Sequence, residues 1–380
     1  MLNNPFLEVR HNGLAEQIAR FVRDQITEAD SLEDEESESR RLICALAREG
    51  VLAWTVPASF AAGESALDVR ALCVVREHLC YESSLADLMF AMQGLGSYPI
   101  TLAGSEEVKR RLLPRVKSGD AIAAFAITEP EAGSDVSAIQ MTARRDGPDY
   151  ILDGVKTFIS NAGVADFYTV FAKTCPDKGS KGISAFVVEK EAPGIRVEEK
   201  IELIAPHPIG RLRFDGCRVR CSNLLGEEGQ GFRLAMATLD TFRPTVGAAA
   251  LGLAWRAVDE AISYAKRRVQ FGKPLSEFQA TQMKLAEMAT ELDAARLLVY
   301  RAAWEKDTGG VRVTVDSAMA KLYATEAAGR IIDAAVQIHG GAGVVRGSVV
   351  ERLYRECRAL RIYEGTSEIQ KLIIAGRLLR

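Results

Sequence analysis

The spacing of apolar residues changes twice along this chain, and that double change restricts its architecture more than any other feature. Up to about residue 120 apolar positions recur every three or four residues, as over residues 66–81, which is the spacing of helices with one buried face. From 121 to about 226 they alternate instead. FYTVFAKT, ISAFVVEK and GRLRFDGCRV each read as a strand, and YILDGVKTFIS reads as two strands joined by a tight turn at Asp153-Gly154. Asp177-Lys178-Gly179, Pro193-Gly194 and Asp215-Gly216 punctuate this region. From 231 onward helical spacing returns in long runs. Val246, Ala250, Leu253, Ala257, Ala261 and Tyr264 share one face, and residues 318–336 form a second, alanine-rich amphipathic stretch. Small residues on such faces let long helices pack closely. The order predicts an α+β chain, mostly α, divided at 1–120, 121–230 and 231–380.

Composition removes several function classes. The formal net charge is -3, which weighs against nucleic acid as a main partner, because a phosphate backbone is met by a basic surface. The acidic run ADSLEDEESESRR, residues 29–41, reads as a solvated helix face or loop. Seven cysteines (Cys44, Cys73, Cys80, Cys175, Cys217, Cys221 and Cys357) form no CxxC pair, so free thiols in a reducing cytosol are expected and a metal site is not. The N-terminus lacks the basic and apolar regions of a leader, and no run reaches the roughly 20 apolar residues of a membrane span. A cytoplasmic location follows as the expectation.

Five segments carry chemical signals, each modest alone. Residues 124–143, AFAITEPEAGSDVSAIQMTA, hold a Gly-Ser-Asp loop that could donate backbone N–H groups to a flat ligand or could be only a turn. GVKTFISNAG, residues 154–163, offers the Phe158 ring and the Ser160 hydroxyl, or an ordinary half-buried strand. Residues 267–288 place Arg268, Phe271 and a glycine at a helix end, where a cation is commonly just solvated. QIHGGAGVV, residues 337–345, is either a helix stop or a stretch of bare amides suited to a pyrophosphate. In RALRIYEGTSEIQKLIIAGRLL, residues 358–379, Glu364 stands at a helix break where its carboxylate can project into a cavity, or it is a surface residue near a helix start.

In this order and spacing, ITEPEAGSD, the QFG helix end, QIHGGAG and RIYEGTSEIQ resemble the acyl-CoA dehydrogenase family over almost the whole chain. The resemblance implies an N-terminal helical domain, a middle β-barrel-like domain and a C-terminal four-helix bundle, with FAD as cofactor. It implies that Phe125, Ile127, Thr128, Gly133 and Ser134 line flavin and substrate. Phe158, where the family often has Trp, and Ser160 would flank the ring. Arg268 and Phe271 would meet the diphosphate and adenine side, with Gln337, Gly340 and Gly341 doing so for a neighbouring subunit of a homotetramer. Thr366 and Glu368, the latter where some members carry Gln, would also approach FAD. Leu95, Ser134, Asp240, Arg243, Tyr363 and Gly365 would face the substrate.

The implied chemistry is α,β-dehydrogenation of an acyl-CoA to the trans-2-enoyl-CoA. Glu364 would take the α-proton, its proton affinity raised by burial, and electrons would pass through FAD to an electron-transferring flavoprotein. Some members carry the base one residue before an arginine corresponding to Arg243. That position is Phe242 here, and Asp240, about 200° around the helix from it, is expected to brace Arg243. One stretch departs from the family. ELIAPHPIGRLRF, residues 202–214, has Ala205 in place of the usual Arg and a stiff Pro206-His207-Pro208. There His207 reads as a satisfied loop residue before it reads as a substrate contact. The departure leaves open a branched or cyclic acyl group or a carrier-protein thioester. An acyl-CoA oxidase, a nitroalkane oxidase and a DNA-associated FAD protein without the reaction are the competing readings. They would call respectively for an added C-terminal region, an Asp as base, and an added basic domain.

Overall fold

In the computed structural model the described residues are 4–26, 34–58, 67–309 and 313–379. Helices occupy the first stretch: α1 (Val9–Gln25), α2 (Glu35–Arg48), α3 (Val69–Glu82), α4 (Ser84–Ala103) and α5 (Glu106–Ser118). Side chains set their ends. Asp68 opens α3 by accepting from the Ala71 N–H at 2.9 Å, and Ser105 opens α5 by accepting from Val108 at 3.3 Å. Gly119, left-handed at φ 78°, closes α5. Asp34 caps α2, so the described end of the acidic run is a helix start; Ala66 and residues 29–33 lie outside the described residues.

Eight strands follow: β1 (Ala123–Ala126), β2 (Thr142–Asp146), β3 (Asp149–Ser160), β4 (Phe167–Lys173), β5 (Ile183–Glu189), β6 (Ile195–Lys200), β7 (Ile209–Arg220) and β8 (Leu224–Leu225). Their order is β6-β7-β3-β2-β4-β5-β8, with β1 parallel to β4. Among the described residues this sheet is open, which corrects the expected barrel-like domain. Edge strand β6 carries charges of both signs and is largely solvated, and β8 is only two residues long, so neither edge invites closure. The expected turn at Asp153-Gly154 is also corrected. The hairpin turn is Gly147-Pro148, and β3 runs on through Asp153-Gly154 as a bulge against β7. There Asp153 accepts from the Gly216 N–H at 2.7 Å, and a Cβ on Gly154 would come within 2.9 Å of the Met141 Cα. Asp215-Gly216 likewise lies inside β7.

The remaining helices are α6 (Gly231–Arg267), α7 (Gln279–Asp307), α8 (Thr314–His339), α9 (Val349–Leu360) and α10 (Ser367–Leu378), with a short hairpin of β9 (Val269–Gln270) and β10 (Lys273–Pro274) after α6. Among the described residues, no helix is long and apolar enough to cross a membrane.

The described residues fall into two compact units, a helical unit from 1–31, 68–87 and 240–380 and a sheet unit from 32–67 and 88–239. In the helical unit α7 packs on α8, which also meets α9 and α10, while α3 joins α1 to α7. The expected C-terminal helical domain is built from the long α6, α7 and α8 with the shorter α9 and α10. On α6 the predicted face is buried at Val246, Ala250, Leu253, Ala257 and Ala261. Gly252 lets α6 approach α3 so closely that a Cβ would lie 2.2 Å from the Glu77 carbonyl oxygen. In the sheet unit α4 lies against β1. Gln93 locks that contact by donating to the Ala121 carbonyl at 2.9 Å and accepting from the Ala123 N–H at 2.8 Å.

Candidate active site

Glu364 lies in the turn between α9 and α10 with φ 53°, a conformation that a β-carbon disfavours. Its surroundings hold it there. Gln370 and Lys321, both fully buried, donate to the Gly365 carbonyl at 2.8 and 2.7 Å, and Gln370 also reaches the Glu364 carbonyl at 3.3 Å. Arg243 Nε donates to the same carbonyl at 3.4 Å. Thr366 then caps α10 through the Ile369 N–H. The hinge is therefore clamped through its main chain while its side chain stays uncommitted. Glu364 Oε2 is buried and has no hydrogen-bond partner.

Three cations surround that carboxylate, and each is tied to something else. Arg76 on α3 forms a bidentate pair with Asp87, 2.7 Å on each arm, and donates to Thr245 Oγ1 at 2.9 Å. Burial works against its charge, but Asp87 more than restores it, so its pKa is raised. Arg243 is bound to Asp240 at 2.6 Å. Pro244 has no N–H to give the Asp240 carbonyl, and Ser317 Oγ takes that place at 3.0 Å. With Thr314 on its other oxygen at 2.6 Å, Asp240 is a brace and not a free base. Burial pushes the Lys321 pKa down to about 8, with Glu364 opposing the fall. For Glu364 itself burial is the largest influence and raises the pKa, while Arg76, Lys321 and Arg243 pull it back. The neighbouring Tyr363 hydroxyl is also raised by burial.

In the sheet unit the loop after β1 is anchored by Glu129. Its oxygens accept from Lys156 Nζ at 2.7 Å, Gln140 N–H at 2.5 Å and Met141 N–H at 3.0 Å, and Lys156 also donates to the Ile127 carbonyl at 3.0 Å. Burial lowers the Lys156 pKa to about 8, with Glu129 opposing. Ile127 and Thr128 are half-buried, Gly133 and Ser134 are exposed, and Phe125 is buried against Phe171. A second bulge, between Lys156 and Ile159, turns Phe158 outward at φ 54° and 58% exposure. Ser160 follows, its Oγ 2.8 Å from His207 Nε2. Leu95 is buried on α4 of this unit.

The remaining sequence candidates gather elsewhere in the helical unit. His339, at the end of α8, stacks on Tyr264 of α6 with centroids 4.2 Å apart, so the two helix ends lie together. Arg268, Gln337, Gly340 and Gly341 are exposed there, and Phe271 is 94% exposed at φ 51°. Glu368 is exposed on α10. The structure thus joins Asp240, Arg243, Tyr363, Glu364, Gly365 and Thr366 into one cluster and places Arg268 and Phe271 on the same end as the Gln337–Gly341 segment. Sequence reasoning did not find Arg76, Asp87, Lys321 or Gln370. The available signal was a charged residue inside an otherwise apolar helical run, as in VVREHL and AMAKLYA. Among the described residues no group of three His, Cys, Asp or Glu side chains is arranged to hold a metal.

The chain matches the acyl-CoA dehydrogenase N-terminal domain over residues 9–120, the middle domain over 124–217 and the C-terminal domain over 229–379. It is 40% identical over 370 residues to an acyl-CoA dehydrogenase of Bacillus subtilis (strain 168), covering 96% of this chain and 97% of the relative. It is 40% identical over 373 residues to a 3-(aryl)acrylate reductase of Clostridium sporogenes (strain ATCC 15579), covering 97% and 98%. The solved structure of butyryl-CoA dehydrogenase from Megasphaera elsdenii superposes with a TM-score of 0.92 at 36% identity, covering 98% of this chain and 99% of that one.

Proposed function

The chain belongs to the acyl-CoA dehydrogenase family, an oxidoreductase family acting on CH–CH groups, and from that premise we propose that it is an FAD-dependent acyl-CoA dehydrogenase with Glu364 as its base. The observation that carries this reading is Glu364 Oε2, buried without a partner on a hinge whose backbone is clamped from three sides. A buried carboxylate oxygen without a protein donor holds a proton more strongly, which suits removal of a weakly acidic α-proton. Among the described residues the Glu364 N–H makes no hydrogen bond to the protein, so it remains as a donor for the thioester oxygen as charge develops there.

The residues present fit FAD. Phe158 offers an exposed aromatic face, and Gly133, Gly340 and Gly341 have open space where a Cβ would stand. Phe125, Ile127, Thr128, Gly133, Ser134, Phe158 and Ser160 would hold the ring side; Arg268 and Phe271 would hold the diphosphate and adenine side, with Thr366 and Glu368 also near. When bound, FAD supplies the two-electron acceptor. Leu95, Ser134, Asp240, Arg243, Tyr363 and Gly365 would shape the acyl-CoA site. An electron-transferring flavoprotein is the proposed electron acceptor and the cytoplasm the proposed location, consistent with the free cysteines. The three functional segments are proposed at 1–120, 121–230 and 231–380.

The nearly bare Phe271, with Val344 and Val345 at 70% and 59% exposure, supports assembly at the joined ends of α6 and α8, as a homotetramer in which Gln337, Gly340 and Gly341 serve a neighbour's FAD. The purified protein is expected to be yellow and to release FAD on denaturation. Anaerobic flavin bleaching by a panel of straight, branched, cyclic and aryl-substituted acyl-CoA and carrier-protein thioesters then identifies the substrate. No bleaching by any of them would remove the proposal.

A further inference from the structure

The Pro206-His207-Pro208 segment has a use that the family resemblance does not supply. Its end is fixed just past the end of β3, because the Asn161 N–H donates to the Pro208 carbonyl at 2.7 Å, and the two prolines leave His207 little freedom to swing. The imidazole is thereby held with Nε2 2.8 Å from Ser160 Oγ, immediately after the bulge that turns Phe158 outward. A serine hydroxyl rotates about its C–O bond and samples several rotamers unless something holds it.

We propose that His207 is a positioning residue that fixes the Ser160 hydroxyl toward the flavin ring. This rests on the reading above that Ser160 flanks that ring. Burial lowers the His207 pKa to about 4, so the ring is neutral at ordinary pH. A neutral imidazole has one donor nitrogen and one acceptor nitrogen, and its two tautomers let Nε2 either accept from the hydroxyl or donate to it. That flexibility suits a flavin. The oxidised ring presents nitrogen lone pairs and wants a hydrogen from its neighbour, whereas the reduced ring carries an added N–H and wants a lone pair. With His207 in place Ser160 offers either one without moving its oxygen. An imidazolium could only donate, and an apolar side chain would release the hydroxyl.

The test is the two-electron reduction potential of the FAD-loaded protein in a double-mutant cycle, read with a reference dye. His207→Phe is expected to change the ratio of oxidised to reduced flavin at a fixed potential about tenfold, ~30 mV for a two-electron couple. His207→Gln, which keeps a side chain that can donate or accept, should recover most of that shift. In a Ser160→Ala background His207→Phe should add nothing, because the residue through which it acts is gone. Should His207→Phe fail to fold, His207→Asn, too short to reach Ser160, takes its place in the cycle. Equal shifts in both backgrounds, or none in either, would overturn the assignment of His207 while leaving the FAD reading intact. A wild-type chain that binds no FAD would instead remove the cofactor reading and this one with it.

Discussion

Glu129 in the sheet unit and Glu364 in the helical unit are both carboxylates set among basic groups, and their oxygens are treated in opposite ways. Glu129 accepts from Lys156 and from two backbone N–H groups, so a buried cation and a buried anion satisfy each other and pin a loop. Glu364 is near three cations, but Arg76 is spent on Asp87 and Thr245, Arg243 on Asp240, and Lys321 on the Gly365 carbonyl. They lower the energy of its charge from a distance without donating to Oε2. A carboxylate with its hydrogen bonds filled is structural; one left short of them, on a strained hinge that its neighbours hold rigid, is available for proton transfer.

The largest expected contrast is kinetic. Glu364→Gln should keep FAD and bind thioester but lose flavin reduction by more than ~10²–10⁴-fold, since the proposed general base leaves the proton-abstraction step. Its melting temperature should equal or exceed the wild-type value at neutral pH, because the substitution removes a carboxylate whose ionisation the fold disfavours. The sign follows from the raised pKa: the folded state holds the proton more tightly than the unfolded one, so the ionised Glu364 costs stability once pH exceeds the ordinary carboxylate value. Stopped-flow bleaching and calorimetry check the two halves.

Glu129→Ala should do the reverse. Removing one partner of a buried pair leaves Lys156 uncompensated and costs about 3–5 kcal/mol of stability in denaturant unfolding. A Glu129→Ala protein as stable as the wild type would erase the distinction between the two carboxylates.

The smallest of these effects concerns Lys321. Glu364 should give an acid limb in kcat/KM above the ordinary carboxylate range, with the rate falling as pH drops through it. Lys321→Met removes a cation that holds this pKa down, so the limb should move up by about one unit, roughly 1.4 kcal/mol. Any inflection near pH 8 that Lys321 causes in the wild type should vanish as well. An unmoved limb would make Lys321 only a clamp on the Gly365 carbonyl.

Sequence carried one side of this comparison better than the other. The change in apolar period placed α6 and α8 and the strands β4, β5 and β7, and the family resemblance of RIYEGTSEIQ pointed to Glu364, at a Gly-Thr helix break that by itself also fitted a surface residue. The residues that set the electrostatics of Glu364 were not legible. Arg76 and Asp87 are 11 positions apart on different helices, and Lys321 is 44 positions from the Gly365 carbonyl it holds, so their meeting depends on tertiary packing. Asp153-Gly154 was misread because Asp-Gly suits both a hairpin turn and a bulge. Which one forms is decided by Met141 and Gly216, which local sequence does not place beside it. The grouping of α1 and α3 with the C-terminal helices was hidden for the same reason, since sequence order says nothing of which helix faces meet.

If Glu364 is the base, α-proton exchange reads its step apart from every later one. An acyl-CoA that has α-hydrogens but no β-hydrogen to lose can be deprotonated without being dehydrogenated. Incubated with the FAD-loaded protein in D₂O, it should gain deuterium at the α-carbon, followed by mass spectrometry. Incorporation is expected with the wild-type chain, and only the buffer rate with Glu364→Gln. Incorporation by Glu364→Gln at the wild-type rate would contradict this expectation and assign the proton to another base.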